Sequence, residues 1–545
     1  MRKYLLTFIC FFILICACKD SRSKNKKPSL VVGIVVDQMR YDYLTKYAHR
    51  YGNEGFKKLM NEGYSLTNAH FDYSGTYTAV GHATIYTGTT PNYHGIIGND
   101  WYDKNLKKSI YCVDDDRYTT VGTSKEMIGK SPSRLLTTTI TDQLLLGQNM
   151  KGKSIGIAIK DRASILPAGH AAMSAYWYEG EDENKWVTSS YYMDQLPTWV
   201  QLFNSKNKAD EYLSKPWNPL YPIESYTQSL PDDNPYEATF KGETSPTFPH
   251  DLPNLRSKNG NYDLIKETPF GNDLTLDFAK TTIKEEKLGK NNATDFLTIS
   301  FSSTDYVGHQ FGTDAIETED TYLRLDQNLS ELLRFLDTEI GEKNYLVFLT
   351  ADHGAVQVPS YLESLKIPAP YFKSKLFDEF LTKISKTNFG DDALVEDVSN
   401  FQIYLNKERI KNLKLNHQEV ANTFAEELLS FDGIYKTLTA KTLQTTQFTS
   451  GILEKVQNIY NQKLSGDVFF IPTPGTISRE KTGTTHGSSY SYDTHVPIIF
   501  YGSGIKKGIS HKKYNVKDIA PTLATLLEVE FPNGNSGMVI DDLLE

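Results

Sequence analysis

Tyr345-Leu346-Val347-Phe348-Leu349-Thr350-Ala351-Asp352-His353-Gly354 reads as a strand that ends in reactive groups. The unbroken apolar run from Tyr345 to Leu349 has no polar alternation, as expected of a strand covered on both faces. Asp352 and His353 then arrive together at its carboxyl end, the place where open α/β sheets bind ligands and metals. Two other apolar runs end in the same way. Residues 30–36 lead into Asp37, and residues 296–301 lead into Asp305 and His309. His486 lies far downstream in Thr484-Thr485-His486-Gly487. Strand ends that offer Asp, Asp with His, and Asp-His suggest a metal site holding two ions.

Outward from that stretch, further strands are expected at residues 154–159 and 496–501. The clearest amphipathic helix covers residues 319–340. Its apolar positions Tyr322, Leu325, Leu329, Leu332, Leu333, Leu336 and Ile340 keep helical spacing, and Gly341 is a natural stop. Alternating strands and helices imply an α/β fold, a three-layer α/β/α sandwich around a large, mostly parallel sheet. Two stretches break the rhythm. Residues 169–270 carry four of the five tryptophans, and residues 356–478 separate His353 from His486. Both are expected as insertions into one catalytic domain spanning 29–545, forming a cap beside the site.

At 545 residues the chain exceeds the ordinary size of a single core, which agrees with a large domain carrying insertions. Its net charge of 58 − 67 = −9 argues against nucleic acid as a partner. Met1-Arg2-Lys3 followed by the uncharged residues 4–17 has the form of a signal peptide, too short to span a bilayer. The segment ends Ile15-Cys16-Ala17-Cys18, which resembles a bacterial lipobox. Cys18 is thus the expected site of lipidation and membrane attachment, followed by a polar tether over 19–28. The expected location is the periplasm or outer membrane. Only Cys112 remains beyond the leader, so a multi-thiolate zinc site is excluded and any zinc must use His and Asp.

Two ligand sets can be drawn: Asp305, His309 and His486 for one ion, and Asp37, Asp352 and His353 for the other. A nucleophile is offered by Thr78, at the start of a short helix expected over 79–87 and ended by Gly88. The free N–H groups and dipole of a helix start favour a phosphoryl group. A threonine hydroxyl needs activation, which zinc coordination would supply.

In order along the chain stand Val36-Asp37-Gln38-Met39-Arg40, the Thr78 segment, Ile97-Gly98-Asn99-Asp100-Trp101, Lys160-Asp161-Arg162, Ser303-Thr304-Asp305-Tyr306-Val307-Gly308-His309, Ala351-Asp352-His353-Gly354 and Thr485-His486-Gly487. This ordered set resembles the alkaline phosphatase superfamily, and most of all its phosphate-irrepressible bacterial members with a threonine nucleophile. The resemblance covers nearly the whole chain after residue 28. It implies that Asp305, His309 and His486 hold a zinc at the leaving-group oxygen, and that Asp37, Asp352 and His353 hold the zinc that activates Thr78. It further implies that Asn99, Lys160 and Arg162 bind the non-bridging phosphoryl oxygens, and that phosphate monoesters are hydrolysed through a phosphothreonine intermediate. Lys160 and Arg162, at i and i+2 after an apolar strand, are expected to point the same way on an extended segment. Two zinc ions and three carboxylates leave +1. Lys160 and Arg162 raise this to +3, and a Thr78 alkoxide lowers it to +2, matching a monoester dianion. A phosphodiesterase or nucleotide pyrophosphatase on the same scaffold is the nearest alternative. An arylsulfatase lacks its usual nucleophile motif here, and an inactive zinc-binding surface lipoprotein is a distant alternative.

Overall fold

Leu30–Val36, every residue buried, runs through the middle of a twelve-stranded sheet. The structure is a computed structural model and describes residues 27–479 and 481–544. The leader and Cys18 lie outside the described residues, as does nearly all of the tether. Asp295–Phe301 pairs in parallel with one side of Leu30–Val36, and Tyr345–Thr350 with the other. Ser154–Ala158 and Ser174–Glu179 extend the parallel run. On the far side His495–Gly502 is antiparallel to Tyr345–Thr350, and Tyr64–His70 is antiparallel to it in turn. Helices cover both faces, as the α/β reading of the sequence requires. The five expected strands all form, each end lying within one residue of its expected place.

Register decides where the chemistry sits. Val36 pairs with Phe301 while Val35 pairs with Thr350, so three neighbouring strands stop level with one another. Asp37, Asp305 and Asp352 follow those three ends. Asp37 lies 268 residues before Asp305, and Asp352 another 47 beyond it, but the parallel ladder brings all three to one edge.

The long helix covers Ile316–Glu339, starting three residues before the expected 319. Its extra start, Ile316 to Thr318, is mostly polar yet buried, which hides it from apolar periodicity. Glu317 meets His250, and Asp320 accepts from the Trp217 indole at 2.8 Å. Gly341, at φ +93°, ends the helix as anticipated, donating from its N–H to the Leu336 carbonyl at 3.1 Å.

Thr78–Thr87 is a helix buried on all sides. It lies against the central strand because Gly33 has no side chain. A methyl group there would overlap the Tyr86 hydroxyl and come within 2.7 Å of the Phe348 ring. Gly88, at φ +66°, closes the helix as expected.

Four of the tryptophans lie in 169–270, and Trp177, Trp186 and Trp217 are almost wholly buried in the main core. Trp186 stacks on Phe278 with ring centroids 4.2 Å apart. Residues 356–478 hold a second core, built around Phe377, Leu381, Ile403, Phe424 and Phe470. It surrounds an antiparallel sheet ordered Val395–Ser399, Gln402–Leu405, Val468–Pro472 and Ile434–Thr439. Where this unit leaves and rejoins the main body, Tyr371 pairs with Ile477, and the Phe372 N–H donates to the Ile477 carbonyl at 2.8 Å. The turn between its first two strands places Asn400 and Phe401 at φ +52° and +60°, both left-handed as a tight hairpin turn demands. Its tip reaches the main body, where Asn400 Nδ2 donates to the Asp100 carbonyl at 2.7 Å. Among the described residues no helix is long and apolar enough to cross a membrane.

Candidate active site

Each candidate side chain is fixed by a local device at the sheet edge. The Asp37 N–H continues the ladder by donating to the Phe301 carbonyl at 3.1 Å. Asp305 sits in the first turn of helix Ser303–Phe311, and His309 one turn later on the same face. Asp352 and His353 are fully buried just beyond Tyr345–Thr350. Three imidazoles spend Nδ1 on backbone carbonyls. His309 Nδ1 donates to Thr484 at 2.8 Å, His486 Nδ1 to Thr76 at 2.7 Å and His353 Nδ1 to Gly354 at 3.0 Å. That choice of tautomer leaves every Nε2 with a lone pair for a metal.

The ligand atoms converge. Asp37, Asp352 and His353 offer one atom each, all within 4.8 Å of one another, and so do Asp305, His353 and His486. His353 thus lies between the two sets. Its ring stacks on that of His486 with centroids 3.4 Å apart. His309, expected in the second set, has Nε2 at 3.1 Å from Asp305 Oδ1, and His486 has Nε2 at 3.5 Å from the same oxygen. Asp37 Oδ1, Asp352 Oδ2 and His353 Nε2 are buried without a hydrogen-bond partner. Buried polar atoms are otherwise almost always paired. Three such atoms facing one another, two of them carboxylate oxygens and one an imidazole nitrogen, form a donor set that fits a divalent cation such as zinc.

Lys160 stands between the sets. Its Nζ donates to Asp37 Oδ2 at 2.7 Å and to Asp305 Oδ2 at 2.5 Å, and lies 3.4 Å from Thr78 Oγ1. Three buried carboxylates draw the nearest ammonium among them. Burial and the adjacent Asp352 push Asp37 well above the usual carboxylate range. Burial also pushes Asp305 upward, but His309 and Lys160 outweigh it and hold that carboxyl well below the range. Asp352 is pushed up to about 7 by burial, opposed by Lys160.

The segment carrying Lys160 and Arg162 departs from its expected extended form. Lys160 caps a helix that starts at Asp161, so Arg162 is already helical and strand alternation does not align the two side chains. Arg162 instead depends on a relay. Its Nη1 donates to the Tyr111 hydroxyl at 2.9 Å, and Tyr111 donates to Asp161 Oδ1 at 2.5 Å. Arg162 Nε is buried without a partner and is free to serve a ligand. Asn99 gives its carbonyl oxygen to the Ala79 N–H at 2.9 Å, which leaves its amide NH₂ group to donate. Thr78 is the first helical residue, only 1% exposed, and the cap position before it belongs to Tyr77.

Three participants were not singled out by sequence reasoning. Gln38, at φ +64°, donates from Nε2 to Asp305 Oδ1 at 2.5 Å and from its N–H to Asp352 Oδ1 at 3.2 Å. His82 donates from Nδ1 to the Thr78 carbonyl at 2.8 Å and lies 3.4 Å from Asp352 Oδ2, while its Nε2 meets Ser300 Oγ at 3.0 Å. Its position four residues after Thr78 was the available signal. Tyr111 had none, because its contact to Arg162 is purely tertiary.

A family model described as type I phosphodiesterase / nucleotide pyrophosphatase matches residues 31–496. The chain is 46% identical to a protein of Myroides odoratus named calcium-transporting ATPase, over 98% of each chain. It is 42% identical to alkaline phosphatase PhoV of Synechococcus elongatus over the whole of both chains. Alkaline phosphatase PafA of Elizabethkingia meningoseptica is 44% identical over 95% of each chain. The crystal structure of wild type PafA superposes with a TM-score of 0.92 at 43% identity, covering 95% of this chain and 99% of that one.

Proposed function

On the premise that this chain belongs to the alkaline phosphatase superfamily and is a phosphate monoesterase, we propose that Thr78 is its nucleophile and that its divalent metals are two zinc ions. Asp37, Asp352 and His353 would hold one zinc, and Asp305, His309 and His486 the other, with His353 close to both. When bound, the two ions supply Lewis-acid charge at the phosphoryl group and lower the pKa of the threonine hydroxyl.

The chain's own groups account for the rest. Thr78 Oγ1 attacks phosphorus in line, the ester oxygen departs, and water hydrolyses the phosphothreonine in a second in-line step. Asn99 Nδ2, Lys160 and Arg162 donate to the non-bridging oxygens, where charge spreads in the transition state. The Asn99 carbonyl steadies the start of the Thr78 helix through the Ala79 N–H, which fixes the nucleophile relative to the phosphoryl group. His82 holds the same helix from its next turn. Burial brings His82 down to about 4, so it is neutral at working pH and adds no positive charge.

The observation that carries this reading is the convergence of three partnerless buried ligand atoms on a site beside Thr78 and Lys160. Phosphate monoesters are the substrates. The test is a comparison of para-nitrophenyl phosphate with its bis-ester on wild type and Thr78→Ala, with zinc counted per chain. Near two zinc ions, a strong monoester preference and loss of activity in the variant are expected. Equal rates on both esters would point to the diesterase alternative. We also propose export with lipidation at Cys18, checked by fatty-acid labelling of wild type against Cys18→Ala.

A further inference from the structure

A cleft of about 310 Å³ opens between the main body and the unit formed by residues 356–478. That volume is at the lower end of the ~300–1,000 Å³ common for small-ligand sites. Tyr77 and His486 form one wall, while Phe372, Phe401 and Phe470 contribute to the other. Tyr77 immediately precedes Thr78. His486 Nε2 is 3.5 Å from Asp305 Oδ1, on the side assigned above to the departing oxygen. In-line displacement sends the leaving group away from Thr78, and the cleft beside His486 offers its substituent space.

The walls define what fits. Phe372 stacks on Phe470 with centroids 5.7 Å apart and an interplanar angle of 12°. Phe401 stands edge-on to Phe470 at 5.7 Å and 88°. The rings are therefore held before any ligand arrives, and the ordering cost of binding is low. Phe401 is further fixed by its neighbour Asn400, which docks on Asp100. The carboxylate in the lining, Asp493, is buried and already accepts from the Ser488 N–H at 2.7 Å. Among the described residues, no lysine or arginine lines the cleft to receive a second phosphate. The remaining polar lining is neutral, from Ser399, Asn400 and Thr485 among others.

We propose that this cleft is a leaving-group subsite that takes a planar, uncharged aromatic group, as in aryl or nucleoside monoesters. The inference rests on the assignment of Thr78 as nucleophile. It adds specificity-determining roles for Phe401 and Phe372, which come from the unit outside the metal-bearing sheet.

The probes are adenosine 5′-phosphate and methyl phosphate, two alkyl esters that differ in whether they carry a ring. In Phe401→Ala and in Phe372→Ala, the ratio of kcat/KM for the nucleotide to that for methyl phosphate should fall about tenfold, the size of one base–aromatic stack. Phe401→Trp should keep the wild-type ratio, and adenosine alone should inhibit the alanine variants about tenfold more weakly than the wild type. A ratio within twofold of wild type in both alanine variants overturns the subsite. So does an equal loss on both esters together with weaker inhibition by inorganic phosphate, which would mark a displaced Asn99. Wild-type protein that turns over neither ester overturns the phosphatase reading instead.

Discussion

Gly81→Ala opposes a gain in helix propensity to a steric conflict at the metal edge. Gly81 is in the second turn of the Thr78–Thr87 helix. On propensity alone, alanine there should stabilise the helix by ~1 kcal/mol. The added methyl group, however, would overlap the Asp352 carbonyl oxygen, with the Asp352 Cβ at 2.7 Å and its carbonyl carbon at 2.8 Å. Comfortable carbon contacts are ~3.5–4.0 Å, so the helix and the strand end must part by about 1 Å. Neither side is the loose end of a side chain. Overpacking of this kind costs ~1–3 kcal/mol, which leaves a net stability loss of roughly 0–2 kcal/mol. The functional loss should be far greater, because a 1 Å misplacement of reacting groups costs about 10²-fold. The assay is kcat/KM for para-nitrophenyl phosphate with zinc counted per chain. Gly52→Ala serves as a control, since the nearest atom to its added methyl group is 3.4 Å away. Full metal content and kcat/KM within twofold of wild type in Gly81→Ala would refute the rigid coupling of Asp352 to the Thr78 helix.

Replacing Lys160 and Arg162 together by Ala should cut monoester hydrolysis at least tenfold more than diester hydrolysis, read from the two kcat/KM values, because a diester carries one charge fewer. Tyr111→Phe removes the hydroxyl between Arg162 and Asp161 and should lower monoester kcat/KM about tenfold, the value of a hydrogen bond to a charged group; unchanged kinetics would show that Arg162 needs no relay. Chelation should lower the melting temperature as well as the activity, since a metal at a thousandfold excess over its Kd contributes about 4 kcal/mol, and calorimetry with and without added zinc measures this. Lys455 is brought down to about 8 by burial and by Lys513. Between that value and the ordinary 10.5 the unfolded chain holds the extra proton, so this group's contribution to stability rises with pH across the window and is most unfavourable below it. The melting-temperature advantage of Lys455→Met over wild type should therefore be largest near pH 7 and shrink toward pH 10.

The apolar strands and the carboxylates at their ends were legible because a buried parallel strand writes itself as an unbroken apolar run. Asp37, Asp305, Asp352 and His353 needed no further information than that. Gly88 and Gly341 marked helix ends for a similarly local reason. The start of Ile316–Glu339 was not legible, because Glu317 and Thr318 are buried by pairing with distant His250 and with the Gly312 carbonyl. The helical state of Arg162 was missed for a related reason. A charged triplet after a strand reads equally well as extended chain or as a helix start, and Lys160 carries no capping side chain to tell them apart. Gln38, His82 and Tyr111 act on partners that only the tertiary fold supplies. The position of His353 between both ligand sets depends on the stacking of its ring on His486, which no spacing rule contains.

The pairing of Tyr371 with Ile477 has an evolutionary consequence. The unit between them contributes no strand to the large sheet and can change length without breaking a rung there, although Asn400 docks on Asp100 and Val456, Ile459, Phe469 and Ile471 pack in the main core. The same unit carries Phe372 and Phe401, whereas the proposed metal ligands and Thr78 all belong to the main body. The proposed leaving-group contacts and the proposed bond-breaking groups are therefore carried by different parts of one chain. A descendant could acquire a new range of esters through changes around Phe372 and Phe401, with the strand ends at Asp37, Asp305 and Asp352 left as they are.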